Sequence, residues 1–300
     1  MLKTILHRGL GLLGLAALGS CATPSAPEAV ATAKPALWQV SDADTTVYLF
    51  GTIHLLPQNY KWRSAEFDKA VANSQSLVVE TIVDLQNPEQ YQAMVQRLGF
   101  AEGLPPLAQR VPPELRPKLQ AAIAQSPIPA AAYDKMETWF AGLTLLQLQF
   151  SRIGLAGSEG VEETLKKQFT SSSRPIGELE TNAEQLGYFD ALPEYSQREL
   201  LKGAIEDPNE MRAQFGGMLE SWARGDLAGI AKTFDADMAE VPALRDALIV
   251  RRNANWSEWV RRRMATQGTV MVAVGAGHLA GTESVISRLE RDGLKVRRIQ

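Results

Sequence analysis

Thr269-Val270-Met271-Val272-Ala273-Val274-Gly275-Ala276-Gly277-His278 is the stretch that decides the fold. Its apolar, β-branched residues read as a strand, and the glycines that follow stop it and hand the chain to a histidine. A helical pattern runs from about Thr282 to Asp292, and a last strand covers Lys295 to Ile299. Strand, helix and strand make a β-α-β unit. That predicts an α/β fold with a mixed central sheet, at least one parallel strand pair and flanking helices.

The start of the chain repeats the pattern. Leu37 to Val40, a polar turn over Ser41 to Asp44, and Thr46 to Phe50 read as strand, turn and strand, the second running directly into Gly51-Thr52-Ile53-His54. A strand leading into Gly-x-x-His therefore occurs twice, ending at His54 and at His278. Glycine at Gly51 and Gly275, with Gly277 beside the second histidine, permits a tight backbone turn that brings each imidazole back over the sheet edge. Between the two, Ser64 to Ser74 carries a helical pattern, and Ser76-Leu77-Val78-Val79-Glu80 is a short strand ending on a carboxylate. Open α/β sheets bind ligands outside the carboxyl ends of their strands. Ends at Phe50, Val79 and Val274 along one edge would bring His54, Glu80 and His278 to one cleft.

From about residue 88 to 264 the pattern is mostly helical: Glu89 to Leu98, Pro113 to Ala124, Glu137 to Phe150, Val161 to Phe169, Tyr195 to Ala204, Glu210 to Arg224 and Ala243 to Met264. This large helical insertion separates the two Gly-x-x-His strand ends and is expected to cover the cleft. One short strand interrupts it, Arg174 to Glu180, followed by a capping-box spacing at Thr181 to Glu184. Glu180 thus stands at a strand-to-helix junction.

The 300 residues are 45% hydrophobic and 22% charged, enough for a sizeable core. With 31 Lys+Arg against 34 Asp+Glu the chain lacks the basic excess that a phosphate backbone attracts, so no nucleic-acid partner is expected. The arginines gathered toward the end, from Arg251 to Arg298, read as a solvated helix face. Residues 1–20 read as a lipoprotein signal peptide, with Lys3 and Arg8 before an apolar stretch from Gly9 to Gly19 that is too short to span a bilayer. Leu18-Gly19-Ser20-Cys21 resembles a lipobox, and Cys21, the single cysteine, is the expected lipidation site. Residues 21–36, rich in Ala, Pro, Thr and Ser, read as a tether, and 37–300 as the folded domain. The expected location is the cell envelope, lipid-anchored and facing the periplasm; Ala22 after the lipobox points to the outer membrane.

Of three histidines, His7 lies in the presumed leader, leaving His54 and His278. Paired imidazoles at strand ends can ligate a divalent metal or act as a general base, and Glu80 could be third ligand or general base. Equally, buried histidines can simply cap strand ends by hydrogen bonding to backbone. The tryptophans at 38, 62, 139, 222, 256 and 259 are expected to pack.

Several segments, in order, resemble the TraB/PrgY/GumN family: Leu49 to Leu55, Ser76 to Glu80, Gly160-Val161-Glu162 with Leu165, Gly177 to Gln185, Arg252-Asn253 and Val272 to Leu279, with Gly293 to Val296 fitting the family's end. The resemblance covers Leu37 to Ile299. It implies a metal-dependent hydrolase: relatives include the Tiki proteins, described as metal-dependent peptidases, and the fold resembles that of erythromycin esterase and ChaN-like proteins. It implies His54, Glu80 and His278 as catalytic and metal-binding residues around a divalent ion such as Zn, Mn or Co. Arg252 joins them as a catalytic residue, and Asn253 and Glu180 as substrate contacts. Where the family often carries Asp, this chain has Glu162, whose role is left open. The expected partner is an exported peptide or similar small molecule. Two other readings stand beside this one: a metal-free hydrolase with a histidine base oriented by Glu80 and an oxyanion held by Arg252, or a binder of exported peptide or glycan that turns nothing over.

Overall fold

The structure is a computed structural model and describes residues 33–83, 87–238 and 241–300. The expected signal peptide, Cys21 and the tether as far as residue 32 lie outside the described residues. The end of the expected tether does not hang free. Ala33 and Ala36 are buried and the Lys34 N–H bonds the Ala223 carbonyl, so small apolar side chains dock the chain before the first strand begins.

Eight strands are present among the described residues: β1 (Leu37–Ser41), β2 (Thr45–Thr52), β3 (Leu56–Pro57), β4 (Ser76–Val79), β5 (Leu155–Ala156), β6 (Ile176–Glu178), β7 (Gly268–Gly275) and β8 (Val296–Arg298). Six form one sheet in the order β6-β4-β7-β2-β1-β8, and β3 pairs with β5 in a separate two-stranded ribbon. The sheet is mixed: β7 runs parallel to both β2 and β4, β4 is parallel to β6, and β1 is antiparallel to β2 and β8. The parallel partners of β7 are thus not the strand that follows it in the terminal β-α-β unit. That unit carries the chain past β2 and β1 to the sheet edge.

Along the central strands alternate residues feed two cores, as the pleat demands. Val47 and Leu49, Val78, and Val270, Val272 and Val274 pack on one face against Trp256 and Val260 of the helix Arg251–Arg263 and against Val285 and Leu289 of the helix Val285–Arg291. Phe50, Leu77, Val79, Met271 and Ala273 join the larger cluster on the other face, which includes the helix Ala65–Asn73 and most of the insertion. Helices therefore cover both faces, which is why β7 is apolar from Val270 to Val274.

The insertion differs from its sequence pattern in several places, the short strand β5 among them. A helix Leu227–Met238 and a short one at Ala130–Asp134 are present where none was read. The pattern from Ala243 to Met264 is broken by a π-helical turn at Asp246–Val250. Among the described residues no helix is long and apolar enough to cross a membrane.

Candidate functional site

Because β4, β7 and β2 are adjacent and parallel, the residues just beyond their carboxyl ends meet. Glu80 follows β4, His54 follows β2 by two residues, and His278 sits in the turn Ala276–Leu279 after β7. Glu80 Oε1 accepts the Gly275 N–H at 2.7 Å and stands 4.0 Å from His54 Nε2 and 3.9 Å from His278 Nε2. Two imidazole nitrogens thus face one carboxylate oxygen.

The glycines before these histidines do something other than turn the chain. None of Gly51, Gly275 and Gly277 is among the positive-φ glycines, so none is needed for a left-handed backbone. Space is what they supply. A Cβ on Gly51 would press on the Ala276 backbone at 3.0 Å, and one on Gly277 would enter the Phe234 ring. At Gly275 a Cβ would stand 3.2 Å from Glu80 Oε1, 3.5 Å from His278 Cδ2 and 3.6 Å from His54 Nε2, in the middle of the cluster.

Arg252, from the helix Arg251–Arg263, is buried at 1% exposure and binds two carboxylates. Its Nη2 donates to Glu80 Oε2 and to Glu180 Oε1, both at 2.6 Å, and its Nε to Glu180 at 3.0 and 3.1 Å. Nη1 donates to the Leu248 carbonyl at 3.3 Å and lies 3.2 Å from His278 Nε2. Every N–H of the guanidinium has a partner, which leaves none for an oxyanion. Glu180 is buried and faces Arg252, and Asn253, at 0% exposure, lies behind His278 with Oδ1 2.7 Å from Nδ1. Both side chains are buried and bonded inside the protein, Glu180 to Arg252 and Asn253 to His278 and the Glu283 carbonyl.

His54 is the member of the cluster that reaches solvent, its side chain 19% exposed against 8% for Glu80 and 6% for His278. Its Nδ1 lies 2.8 Å from Glu162 Oε1, which also accepts from the Thr52 hydroxyl. Glu162 sits in the first turn of the helix Val161–Ser171, where a carboxylate also suits the helix dipole. Gly160 caps that helix against the carbonyl of His54, and the Val161 N–H bonds the Ile53 carbonyl at 3.1 Å. A whole helix start is therefore seated on the His54 loop, and it brings Glu162, to which sequence reasoning gave no role, into the cluster. The signal was present in Gly160-Val161-Glu162, but no local rule links it to His54, 108 positions earlier.

The electrostatics separate these groups. Burial alone would raise the Glu80 carboxyl, but Arg252, the histidines and the Gly275 N–H hold it down to about 2, so it is ionised throughout the physiological range. Burial raises Glu180 above the usual carboxylate range, and Arg252 only partly offsets it. His278 is pushed down to about 3 by burial and by the Arg252 charge, so its ring is neutral. For His54 burial favours the neutral ring, but the charge and hydrogen bond of Glu162, with Glu80 behind, outweigh it and raise the ring above its ordinary value.

A family model described as the TraB/PrgY/gumN family matches residues 36–298. The chain belongs to the TraB/PrgY/gumN family. Comparison with curated proteins and with solved structures gave no match. In this TraB/PrgY/gumN domain the matched span takes in every site residue named above from His54 to His278.

Whether a divalent ion suits the site turns on Arg252. Two imidazoles whose Nδ1 atoms lean on Glu162 and Asn253, with a carboxylate between them, are ligands of the right kind. Yet Arg252 Nη1 stands on the His278 nitrogen that would bind the ion, and Nη2 is hydrogen-bonded to the carboxylate. A cation there would lose one ligand's lone pair to a fixed positive charge. Among the described residues no group of three or more His, Cys, Asp and Glu is arranged to hold a metal ion. As held here, the donor set does not fit one.

Proposed function

We propose that this TraB/PrgY/gumN protein is a hydrolase in which His54, backed by Glu162, is the general base. The observation that carries the reading is the placement of the His54 ring, with Nδ1 on a buried carboxylate and Nε2 toward the space beside Gly275 that a methyl group would fill. A carboxylate acceptor keeps the proton on Nδ1 and leaves the Nε2 lone pair free. A water between His54 Nε2 and Glu80 Oε1 would bridge groups 4.0 Å apart, too far for a direct hydrogen bond.

On this reading His54 Nε2 takes a proton from that water as its oxygen bonds the carbonyl carbon of an amide or ester. The proton then passes from Nε2 to the leaving nitrogen or oxygen as the carbon's bond to it breaks. Glu80, ionised and fixed by Gly275, Arg252 and Gln185, steadies the imidazolium formed in between. His278 is neutral and spends its Nε2 on Arg252, so it supports rather than exchanges protons. The substrate we propose is an exported peptide or similar small molecule. It would be met at the cell envelope by a protein held through a lipid on Cys21, and Cys21→Ser should move the protein to the aqueous phase.

The test is hydrolysis of p-nitrophenyl acetate and of a quenched-fluorescent peptide library by purified protein across pH. The rate should rise with pH as His54 loses its proton. Glu162→Gln removes the charge that raises His54, so the rising limb should move to lower pH while the plateau falls on the order of 100-fold. Gly275→Ala, whose backbone angles suit alanine, should cost a similar factor by filling the space beside Nε2. Hydrolysis insensitive to both changes, or none by the wild type, would overturn the reading.

A further inference from the structure

Two consecutive residues of one helix bracket the His278 ring. Asn253 Oδ1 lies 2.7 Å from Nδ1, and Arg252 Nη1 lies 3.2 Å from Nε2. The orientation of the Asn253 amide is fixed on its other side, because its Nδ2 donates to the Glu283 carbonyl at 2.8 Å and a carbonyl can only accept. Oδ1 must then face the ring, and Nδ1 must carry the hydrogen. In a neutral imidazole this leaves the lone pair on Nε2, where Arg252, which has donors only, can bond it. The opposite tautomer would set N–H against N–H at Arg252 and lone pair against lone pair at Asn253.

We propose that Asn253 is a positioning residue that fixes His278 as the Nδ1–H tautomer and, through the ring, seats Arg252 against Glu80. The chain of contacts is continuous: Glu283 carbonyl to Asn253, Asn253 to His278, His278 to Arg252, and Arg252 Nη2 to Glu80 Oε2 at 2.6 Å. The Trp256 ring packs against the imidazole, its centroid 4.4 Å from that of His278. The consequence for rate rests on the hydrolase reading, whereas the tautomer itself does not. Loss of the Asn253 acceptor frees the ring to flip its proton to Nε2, which repels Arg252 and loosens the anchor of Glu80.

The experiment is long-range 1H–15N correlation of the histidine rings in 15N-labelled protein, beside kcat and KM on p-nitrophenyl acetate. Wild-type His278 should show a protonated Nδ1 and an unprotonated Nε2. Asn253→Leu should lose the pattern and about 10–100-fold in kcat with little change in KM. The ring signals of His54 should stay as they are in the variant. A protonated Nε2 on wild-type His278, or survival of the pattern in a folded Asn253→Leu, would each overturn the assignment. If Asn253→Leu does not fold, the wild-type measurement still decides. The predicted tautomers with no wild-type hydrolysis would uphold the positioning role and overturn the hydrolase reading instead.

Discussion

Gly160 lies against the carbonyl of His54 with no room for even a methyl group between them. The contact brings Glu162 within reach of the imidazole, since Glu162 is two positions further along the same helix start. Gly160→Ala should therefore act at a distance from its own chemistry. The helix must lift, the pairing of Glu162 Oε1 with His54 Nδ1 should open, and stability should fall by about 1–3 kcal/mol from overpacking. Diethylpyrocarbonate labelling followed by mass spectrometry checks it: His54 should react faster in the variant, and buried His278 should stay protected. Unchanged labelling of His54 would show that the helix start does not hold the ring.

Arg252 pairs with both Glu80 and Glu180, so its removal leaves two buried carboxylates without that cation between them. Arg252→Met should cost about 3–5 kcal/mol, the range for breaking a buried pair on one side. Arg252→Lys should recover little of that, since an ammonium cannot reproduce the forked bonds to both carboxylates. Changing all three, with Glu80→Gln and Glu180→Gln added to Arg252→Met, should restore much of the lost stability. Denaturant midpoints of the three proteins read this directly, and no rescue in the triple variant would mean that the cost lies in packing.

The course of the chain past the site was legible where local pattern and strand ends carried it. Leu49 to His54 and Val272 to His278 announced themselves by apolar runs ending in glycine, and Ser76 to Glu80 by a short strand closing on a carboxylate. Parallel neighbours then had to deliver His54, Glu80 and His278 to the same edge. What escaped were relationships across the fold. Glu162 reaches His54 through the docking of one helix, and Arg252 turned out to be fully engaged because Glu80 and Glu180 arrive on either side of it. The role of Gly275 was misread for a related reason: a glycine needed for space and one needed for a turn look alike until the neighbours are in place.

Acid should unfold this protein earlier than its surface charge would suggest. His278 has a folded value of about 3, below the ordinary 6.5, so the unfolded chain takes up a proton that the folded ring refuses. That contribution to stability is whole above pH 6.5 and is lost as pH falls from there toward 3. Glu80 adds to it lower down, since its value of about 2 lies under the ordinary 4.5. His54 and Glu180, both raised, act in the opposite sense, so the His278 share is read by comparison: between pH 7 and pH 4 the Tm of His278→Gln, which has no proton to gain, should fall less than that of the wild type. An equal slope in the variant would place the acid sensitivity elsewhere.

The last prediction separates the histidine-base reading from the metal-dependent one that the family resemblance implies. If Arg252 keeps His278 Nε2 and Glu80 Oε2, hydrolysis should survive dialysis against EDTA and should not rise when Zn, Mn or Co is restored. Elemental analysis of protein purified without chelator should find well under one equivalent of divalent metal. The sharper comparison uses Arg252→Met, because removing the guanidinium frees the His278 Nε2 and both carboxylates beside a His54 Nε2 that it never held. That variant should bind divalent metal more tightly than the wild type, read as metal-dependent recovery of Tm. Protein that arrives with a stoichiometric ion, loses hydrolysis with EDTA and regains it with added metal would show that Arg252 gives way to a cation, and would make His54, Glu80 and His278 the ligands.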